Sequence, residues 1–310
     1  MSIEEAISLL KAGEVIGLPT ETVYGLAGDI TQTSALERIF SVKERPFFDP
    51  LIVHIDTIEK ARALSQNWTP LHESLAKLWP GPLTIITDKT DAINPLITSG
   101  LAQVALRIPR HPKALAVLAH FKGLAAPSAN KFGKTSPTTA QHVRDEFQSE
   151  VFVLEGGACE VGIESTVVSV KDPSTIEIYR PGFFSAKDIK AHLQALGFEV
   201  NVVYAESPVA PGQLKHHYMP AIPVLVSVGS DLLHLIAHSE QELAKPLRAV
   251  TLLPLGHDAK MAARIFYQNL RELSKGHDAI AIILAPHHFE EEWAGLLNRL
   301  KKAASVWISQ

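Results

Sequence analysis

Cysteine is almost absent from this 310-residue chain, whose single cysteine is Cys159. One cysteine cannot form an internal disulfide, and it excludes a zinc site built from several cysteines. We therefore expect a reducing, cytoplasmic location. The first residues include glutamates where a secretory signal peptide carries basic residues, and no apolar run reaches the ~18 residues that a membrane span requires. The sequence predicts no contact with a membrane.

Basic residues are not in excess either, because 29 Lys and Arg are set against 33 Asp and Glu, for a formal net charge of −4. This balance argues against a general nucleic-acid binder that relies on bulk phosphate attraction. Hydrophobic residues make up 46% and charged residues 20% of the chain, which is typical of a globular protein with one large and one smaller domain. Any polyanionic ligand must therefore meet a local cluster of cations.

The common glycine-rich phosphate-binding motifs are missing as well. No G-x-G-x-x-G occurs in the chain. The nearest approach to a P-loop runs from Ser128 to Thr135, but it has serine in place of the first glycine and Pro137 follows too closely for a helix to begin. A nucleotide site in this chain must have another architecture.

Hydrophobic patterning divides the chain into three parts. Residues 1–203 predict an α/β domain with a twisted sheet of mixed strand direction and helices over it. Residues 204–222 are rich in proline and almost without periodicity, which indicates a linker. Residues 223–310 alternate strand and helix, as expected of a small Rossmann-like parallel α/β domain. The strands predicted in the first part are 15–18, 51–55, 83–87, 104–108, 151–154, 165–170 and 175–179.

Three polar segments adjoin apolar strands and form the candidate site. They are residues 18–26 (LPTETVYGL), 43–54 (KERPFFDPLIVH) and 125–138 (AAPSANKFGKTSPT). Taken alone, each also fits an ordinary turn or a solvated loop. Arg107 and Arg180 add cations at strand ends, where the sites of α/β proteins usually assemble. Together with two cations in the second segment, they favour a site for an anionic ligand.

The side chains of these segments suit phosphate, ribose or an amino acid. Arg45 can bind two oxygens at once, and Lys43 supplies a point charge. Ser128, Asn130 and Ser136 offer hydrogen-bond donors and acceptors in a stretch of small residues that lets a ligand approach the backbone. These residues alone do not decide among the three ligand types.

Together, the K-x-R at residues 43–45 and the S-x-N at 128–130 resemble the YrdC-like family, and the added linker and last domain resemble its two-domain form. The resemblance covers about residues 5–200. In the linker it rests on Pro211-Gly212, His217-Tyr218 and Pro220, and in the last domain on position and pattern alone.

The resemblance implies a nucleotidyltransferase. It would join L-threonine, bicarbonate and ATP to give L-threonylcarbamoyladenylate and pyrophosphate, with Mg²⁺ entering as the partner of ATP. A downstream tRNA threonylcarbamoyl-transferase complex would then modify an adenosine beside the anticodon, and a weak direct contact with tRNA is possible in this scheme. No protein side chain is predicted to bind a metal.

The family's functional residues carry over by position. Those implied for threonine, whose carboxylate would pair with Arg107, are Thr22, His54, Arg107, Ala126 and Thr166. Those implied for ATP are Lys43, Arg45, Asp49, Gln103, Ser128, Asn130, Ser136, Arg180 and, as a lid from the linker, Tyr218. Because pyrophosphate leaves as a polyanion, catalysis can come from cations that stabilise its charge and from in-line positioning of the reacting atoms. No covalent nucleophile is required. The candidate catalytic residues are Lys43, Arg45 and His54, the last as a possible base.

Two positions depart from the family pattern. Asp49 replaces a usual asparagine, so its carboxylate would repel phosphate unless it faces the ribose, the base or Mg²⁺. Gln103 replaces a common threonine, which leaves its nucleotide contact open. In the linker, Lys215-His216 precede the His-Tyr pair where a basic residue more often stands directly before it.

Two other functions fit part of the pattern. A module that binds double-stranded RNA without chemistry would need broad phosphate contact, and the net charge of −4 argues against it. A carbamoyl-adenylating domain of hydrogenase maturation proteins would carry cysteine-rich zinc motifs, which one cysteine cannot supply. The paired histidines at 216–217 and 287–288 match no metal-ligand spacing.

Overall fold

The computed structural model describes residues 1–206, 217–229 and 231–308. Its larger domain contains a ten-stranded sheet. The strands are β1 (Ile16–Leu18), β2 (Gly25–Asp29), β3 (Ile52–His54), β4 (Leu83–Asp88), β5 (Gln103–Arg107), β6 (Leu124–Ala125), β7 (Phe152–Val153), β8 (Thr166–Asp172), β9 (Thr175–Arg180) and β10 (Asn201–Tyr204). Their order is β10-β9-β8-β4-β5-β3-β6-β2-β1-β7. Parallel and antiparallel pairs alternate irregularly, which confirms the predicted mixed sheet.

Helices cover this sheet. They are α1 (Ile3–Lys11), α2 (Thr33–Lys43), α3 (Ile58–Leu64), α4 (Pro70–Leu75), α5 (Pro95–Thr98), α6 (Pro112–Leu118), α7 (Ala140–Phe147) and α8 (Ala186–Ala195). The sequence begins α1 with a capping box, in which the side chains of Ser2 and Glu5 bond each other's backbone N–H groups. Among the described residues, no helix is long and apolar enough to cross a membrane.

The smaller domain has a four-stranded sheet in which every strand pair is parallel, in agreement with the predicted Rossmann-like unit. Its elements are β11 (Val224–Val228), α9 (Leu232–Leu243), β12 (Val250–Leu252), α10 (Ala259–Leu273), β13 (Ala279–Leu284), α11 (Ala294–Ala303) and β14 (Val306–Ile308), with the strand order β12-β13-β11-β14. Alternate residues of β11 enter two different apolar clusters, so both faces of this sheet are covered.

The two domains share an apolar cluster. Val23, Val161 and Ile163 of the larger domain pack in the same buried cluster as Phe266 and Trp293 of the smaller one. Two glycines bring the backbones together at this interface. A Cβ added at Gly295 in α11 would overlap the backbone of Gly182, and a Cβ at Gly162 would overlap the backbone of Arg264. The interface is therefore a close-packed contact.

The sheet topology gathers several strand ends at one edge. β3 and β5 are parallel, and their last residues, His54 and Arg107, are direct partners across the pair. β8 runs antiparallel to β9, with Val167 opposite Arg180, and parallel to β4, with Thr166 opposite Leu83. The carboxyl ends of β3, β5 and β9 and the amino end of β8 therefore lie together, as the sequence predicted for the cations at strand ends.

Candidate active site

A cavity opens at this edge of the sheet. Eight of the residues predicted for the site line it: Thr22, Arg45, His54, Arg107, Ala126, Ser128, Arg180 and Tyr218. Four polar residues of the same wall were not among the predicted site residues: Thr20, Glu164, Ser165 and His217. The three polar segments and the linker thus meet around one space.

Arg107 forms one corner of the cavity. It is buried, and its guanidinium donates to the Gly81 carbonyl (3.2 Å), to Thr22 Oγ1 (2.9 Å) and to a carboxylate oxygen of Glu21 (2.7 Å). The second oxygen of Glu21 accepts the backbone N–H of Arg110 (3.0 Å). These contacts fix the guanidinium plane while donors remain for an incoming carboxylate. Glu21 was missed by sequence reasoning, because its role depends on a partner 86 residues away.

His54 stands beside Arg107 in the same corner. Burial, and after it the charge of Arg107, lower its pKa to about 3. The ring is therefore neutral at physiological pH, and Nδ1 has no hydrogen-bond partner among the described residues. A neutral ring with a free polar atom suits ligand binding. So low a pKa makes it a weak base, which counts against His54 as the base that activates an amine.

Thr166 and Ala126, the other residues implied for threonine, take different places. Ala126 is in the cavity wall. Thr166 is fully buried, and its hydroxyl donates to the Phe184 carbonyl and accepts the Phe184 N–H, both at 2.9 Å. It lies behind the wall in the described structure and ties β8 to the loop that follows β9.

Arg45 forms a second corner of the cavity, near Arg180. It donates to the carbonyls of Asp49 (3.1 Å) and Pro50 (2.9 Å) and pairs with the Asp49 carboxylate at 2.8 Å. The sequence predicts that the Asp49 carboxylate either repels phosphate or faces the ribose, the base or Mg²⁺. The structure instead pairs this carboxylate with Arg45. The carboxylate is buried against Arg45, which offsets its charge. Arg45 therefore faces the cavity with part of its charge already balanced.

Lys43 lies behind the wall rather than in it. It is fully buried at the end of α2, and its Nζ donates to the carbonyls of Ser128 and Asn130, each at 2.5 Å. Burial, and after it the nearby Arg45, lower its pKa. Lys43 thus fastens the loop that presents Ser128 to the cavity. The Asn130 amide donates to the carbonyls of Lys131 and Lys134 and closes the same loop.

Glu164 links the remaining predicted residues. Its carboxylate accepts the hydroxyl of Ser136 (2.5 Å), the hydroxyl of Tyr267 (3.0 Å) and Nε of Arg299 (2.9 Å). Next to it, Ser165 holds Arg180 through its carbonyl and its hydroxyl, both at 3.1 Å. Burial alone would raise the pKa of Glu164, but Arg299, Arg180 and Ser136 lower it to about 2. No local pattern marks this carboxylate in the sequence, because two of its partners, Tyr267 and Arg299, belong to the other domain.

The described end of the linker contributes to the cavity wall. His217 and Tyr218 line the wall and are buried, and Tyr218 has a positive φ of 66°. Tyr218 Oη and His217 Nδ1 have no hydrogen-bond partner among the described residues. Buried polar groups are rarely left unpaired, so these atoms mark where a polar ligand would be held. Pro211-Gly212 and Lys215-His216 of the predicted linker motif lie outside the described residues.

Gln103 lies outside this cavity. It is exposed at the start of β5 and lines a neighbouring depression together with Ile86, Val104, Ala105 and Tyr179. Pro50 belongs to both walls, so the two spaces adjoin. Among the described residues, no group of three or more His, Cys, Asp or Glu side chains could hold a metal ion.

Two buried histidines of the cavity wall, His54 and His217, predict a loss of stability in mild acid. Burial, followed by the nearest arginines, lowers the pKa of both His54 and His217 to about 3, below the ordinary 6.5. Below about pH 6.5 the unfolded chain therefore binds more protons than the native one. The free energy of unfolding should fall with decreasing pH, by up to about 1.4 kcal/mol per pH unit for each histidine. Urea unfolding between neutral pH and about pH 5 measures this slope.

Single variants separate the two contributions. His54→Asn and His217→Asn should each flatten the pH dependence by the share of one histidine. His238→Asn, which removes an exposed histidine, is the matched control and should leave the slope unchanged. If both buried-site variants keep the full slope, the acid sensitivity lies elsewhere.

Comparisons with known proteins identify the family of the chain. The Sua5/YciO/YrdC family model, described as telomere recombination, matches residues 8–182. The model of the threonylcarbamoyl-AMP synthase C-terminal domain matches residues 184–305. A threonylcarbamoyl-AMP synthase of Bacillus subtilis is 36% identical, with 97% of this chain and 92% of the relative aligned. One of Pyrococcus abyssi is 34% identical, with 99% and 95% aligned.

Solved structures give the same result. The crystal structure of P. abyssi Sua5 complexed with L-threonine superposes with a TM-score of 0.86 at 30% identity, covering 99% of this chain and 96% of that one. HypF of T. kodakarensis, with a TM-score of 0.51 at 16% identity over 59% of this chain and 24% of its own, shares only the fold. Both domains and the whole length are matched, and the chain belongs to the Sua5/YciO/YrdC family in its two-domain form, that of the threonylcarbamoyl-AMP synthases.

Proposed function

We propose that this chain is a threonylcarbamoyl-AMP synthase and acts as a nucleotidyltransferase on L-threonine, bicarbonate and ATP. One observation carries the proposal: a single cavity is lined by one corner with Arg107, Thr22 and His54 and by a second corner with the cations Arg45 and Arg180. The first corner suits a small amino acid and the second a polyphosphate. Two threonylcarbamoyl-AMP synthases align with this chain over nearly the full length of both proteins.

The amino acid would bind at the first corner. Its carboxylate pairs with Arg107, whose guanidinium Glu21 and Thr22 hold in place. His54 stays neutral and hydrogen-bonds the substrate through its free ring nitrogen. The threonine amine forms a C–N bond with bicarbonate, with loss of water, and gives a carbamate. The carboxylate of this carbamate then points toward the second corner.

The nucleotide would bind at the second corner. The carbamate oxygen attacks the α-phosphorus, the bond from the α-phosphorus to the bridging oxygen breaks, and pyrophosphate leaves with that electron pair. Arg45, Arg180 and Ser128 stabilise the charge that develops on the phosphate oxygens. The adenosine would extend into the adjoining depression, where Gln103 stands at the rim. His217 and Tyr218, at the described end of the linker, would exclude water from the cavity.

Mg²⁺ enters this scheme as part of the ATP complex, where it would neutralise charge on the phosphates. The residues of the cavity fit Mg²⁺ that enters bound to ATP. Asp49 and Glu164 are each paired with an arginine, so the phosphate oxygens of ATP would be the anionic ligands of the ion. We further propose that the product passes to a tRNA threonylcarbamoyl-transferase complex in the cytoplasm. A weak contact of this chain with tRNA stays a prediction.

Pyrophosphate release tests the proposal. The purified chain, with ATP and Mg²⁺, should release pyrophosphate only when both L-threonine and bicarbonate are present. Arg45→Ala and Ser128→Ala should each lower the rate by about 100-fold or more, since each removes a contact to the reacting phosphates. Lys89→Ala, a change outside the cavity, is the control. Salt-dependent RNA binding without threonine-dependent turnover would instead favour the RNA-binding function.

The unusual Asp49 predicts a specific gain. Asp49→Asn should lower KM for ATP by about 3- to 10-fold, because the loss of one negative charge leaves more of the Arg45 charge for phosphate. Arg45 stays in place because the backbone carbonyls of residues 49 and 50 still hold it. Steady-state kinetics at varied ATP measures the change. Glu44→Gln, which neutralises an exposed neighbouring carboxylate, should have little effect, and a raised KM in Asp49→Asn would contradict the prediction.

A further inference from the structure

The smaller domain inserts one arginine deep into the larger one. Arg299 of α11 is completely buried, and its guanidinium is surrounded by acceptors. Nε donates to the Glu164 carboxylate (2.9 Å), Nη2 to the Glu164 carbonyl (3.1 Å), and Nη1 to the carbonyls of Pro181 and Gly295. Tyr267 of α10 donates its hydroxyl to the same carboxylate. The smaller domain thus supplies both groups that clamp Glu164 from one side.

The residues that Arg299 holds adjoin the nucleotide corner. Glu164 directly precedes Ser165, and Pro181 directly follows Arg180. Ser165 in turn binds the Arg180 guanidinium through its carbonyl and hydroxyl. The other oxygen of Glu164 accepts the hydroxyl of Ser136. Arg299 therefore fixes the backbone on both sides of the Ser165 and Arg180 pair.

The amino-acid corner is built differently. The partners of Arg107 are Gly81, Thr22 and Glu21, and the second oxygen of Glu21 binds the N–H of Arg110. All of these residues belong to the larger domain. Loss of the Arg299 contacts should therefore disturb the nucleotide corner and leave the amino-acid corner unchanged.

The charges around Glu164 indicate what the loss of Arg299 would do to Arg180. Glu164 lies between two arginines, Arg299 from the smaller domain and Arg180 from the cavity wall. Without Arg299, a buried carboxylate would remain with Arg180 as its main counter-charge. Because an uncompensated buried charge is costly, Glu164 would draw Arg180 away from the cavity.

We propose that Arg299 is a positioning residue that the smaller domain supplies to the nucleotide half of the active site, where it holds Glu164 so that Arg180 faces the phosphates. The inference rests on the proposed function. It gives the C-terminal domain an indirect part in nucleotide binding. Arg299 acts through Glu164 and touches no substrate itself.

Steady-state kinetics of the full chain, with ATP and threonine varied separately, test the inference on Arg299. Arg299→Met should raise KM for ATP by about 10-fold or more and leave KM for threonine within about twofold, since only the nucleotide corner loses its support. Arg299→Lys, which keeps the charge, should recover part of the ATP affinity. The double variant Arg299→Met with Glu164→Gln should also recover part of it, because the carboxylate that captures Arg180 is gone.

A matched variant weakens another contact between the domains. Glu291→Gln weakens the hydrogen bond from the Lys187 N–H, which lies on the surface away from the cavity, and should change neither KM. A fall in kcat of Arg299→Met with both KM values unchanged would mean a smaller folded fraction and would overturn the inference. An equal rise of both KM values would also overturn it. An inactive wild-type chain would overturn the proposed function first, and this inference with it.

Discussion

Replacing Arg107 with methionine should abolish threonine-dependent pyrophosphate release almost completely. Arg107 is a buried cation of the cavity wall, and in the proposed function it binds the threonine carboxylate. Two charge-assisted hydrogen bonds between this guanidinium and the carboxylate would contribute about 1.5 to 3 kcal/mol each. Their loss corresponds to a decrease of about 10²- to 10⁴-fold in kcat/KM for threonine. Pyrophosphate release at varied threonine, and calorimetric binding of threonine alone, measure the two parts of the effect.

The same change also leaves Glu21 buried without its cation, so stability must be separated from binding. In Arg107→Met, thermal unfolding should occur at a lower temperature, and adding Glu21→Gln should recover much of this loss. The double variant should remain inactive because the substrate carboxylate still has no partner. Arg110→Met, which removes an exposed arginine, should retain activity. Threonine affinity within tenfold of wild type in Arg107→Met would show that another group binds the carboxylate.

Gly295→Val should separate the two domains. A Cβ at this position would overlap the backbone carbonyl of Gly182, and a backbone cannot move aside by a rotamer change. The strain should open the contact between α11 and the loop after β9 and withdraw Arg299, which follows one turn later. We expect a larger radius of gyration in solution scattering and a KM for ATP raised at least as much as in Arg299→Met.

The control for Gly295→Val is a valine at the preceding position of the same helix. Ala294 is partly exposed, so Ala294→Val adds a similar side chain to α11 without meeting the larger domain's backbone. It should keep the native radius of gyration and the native KM for ATP. If Gly295→Val also keeps both, the close contact at Gly182 can relax and is not what holds the domains together.

The predicted residues that line the cavity are those whose chemistry is visible locally in the sequence. The cations Arg45, Arg107 and Arg180 follow or flank apolar strands, and parallel pairing brings such strand ends to one edge. The segment around Ser128 could be identified because small and hydroxyl residues cluster there. Eight residues of the cavity wall were predicted in this way, from local motifs and from the family resemblance.

The residues that were missed act through distant partners. Glu21 and Glu164 look like ordinary acidic residues in the sequence, and only the fold brings them to Arg107 and Arg299. Lys43 was expected in contact with phosphate, but its Nζ points at the carbonyls of the Ser128 loop. Strand β2, with two glycines among its five residues, was also missed, since glycine has low strand propensity and its pairing is decided by neighbours.

The apolar cluster shared by the two domains has a consequence for how the protein unfolds. Val23, Val161 and Ile163 complete the packing around Phe266 and Trp293, and Tyr218 of the linker lies in the same cluster. Neither part can lose its fold without exposing apolar surface of the other, which couples their stabilities. We therefore expect heat to unfold both domains in one cooperative transition. A chain shortened at the linker should expose the apolar face of the larger domain that α10 and α11 now cover.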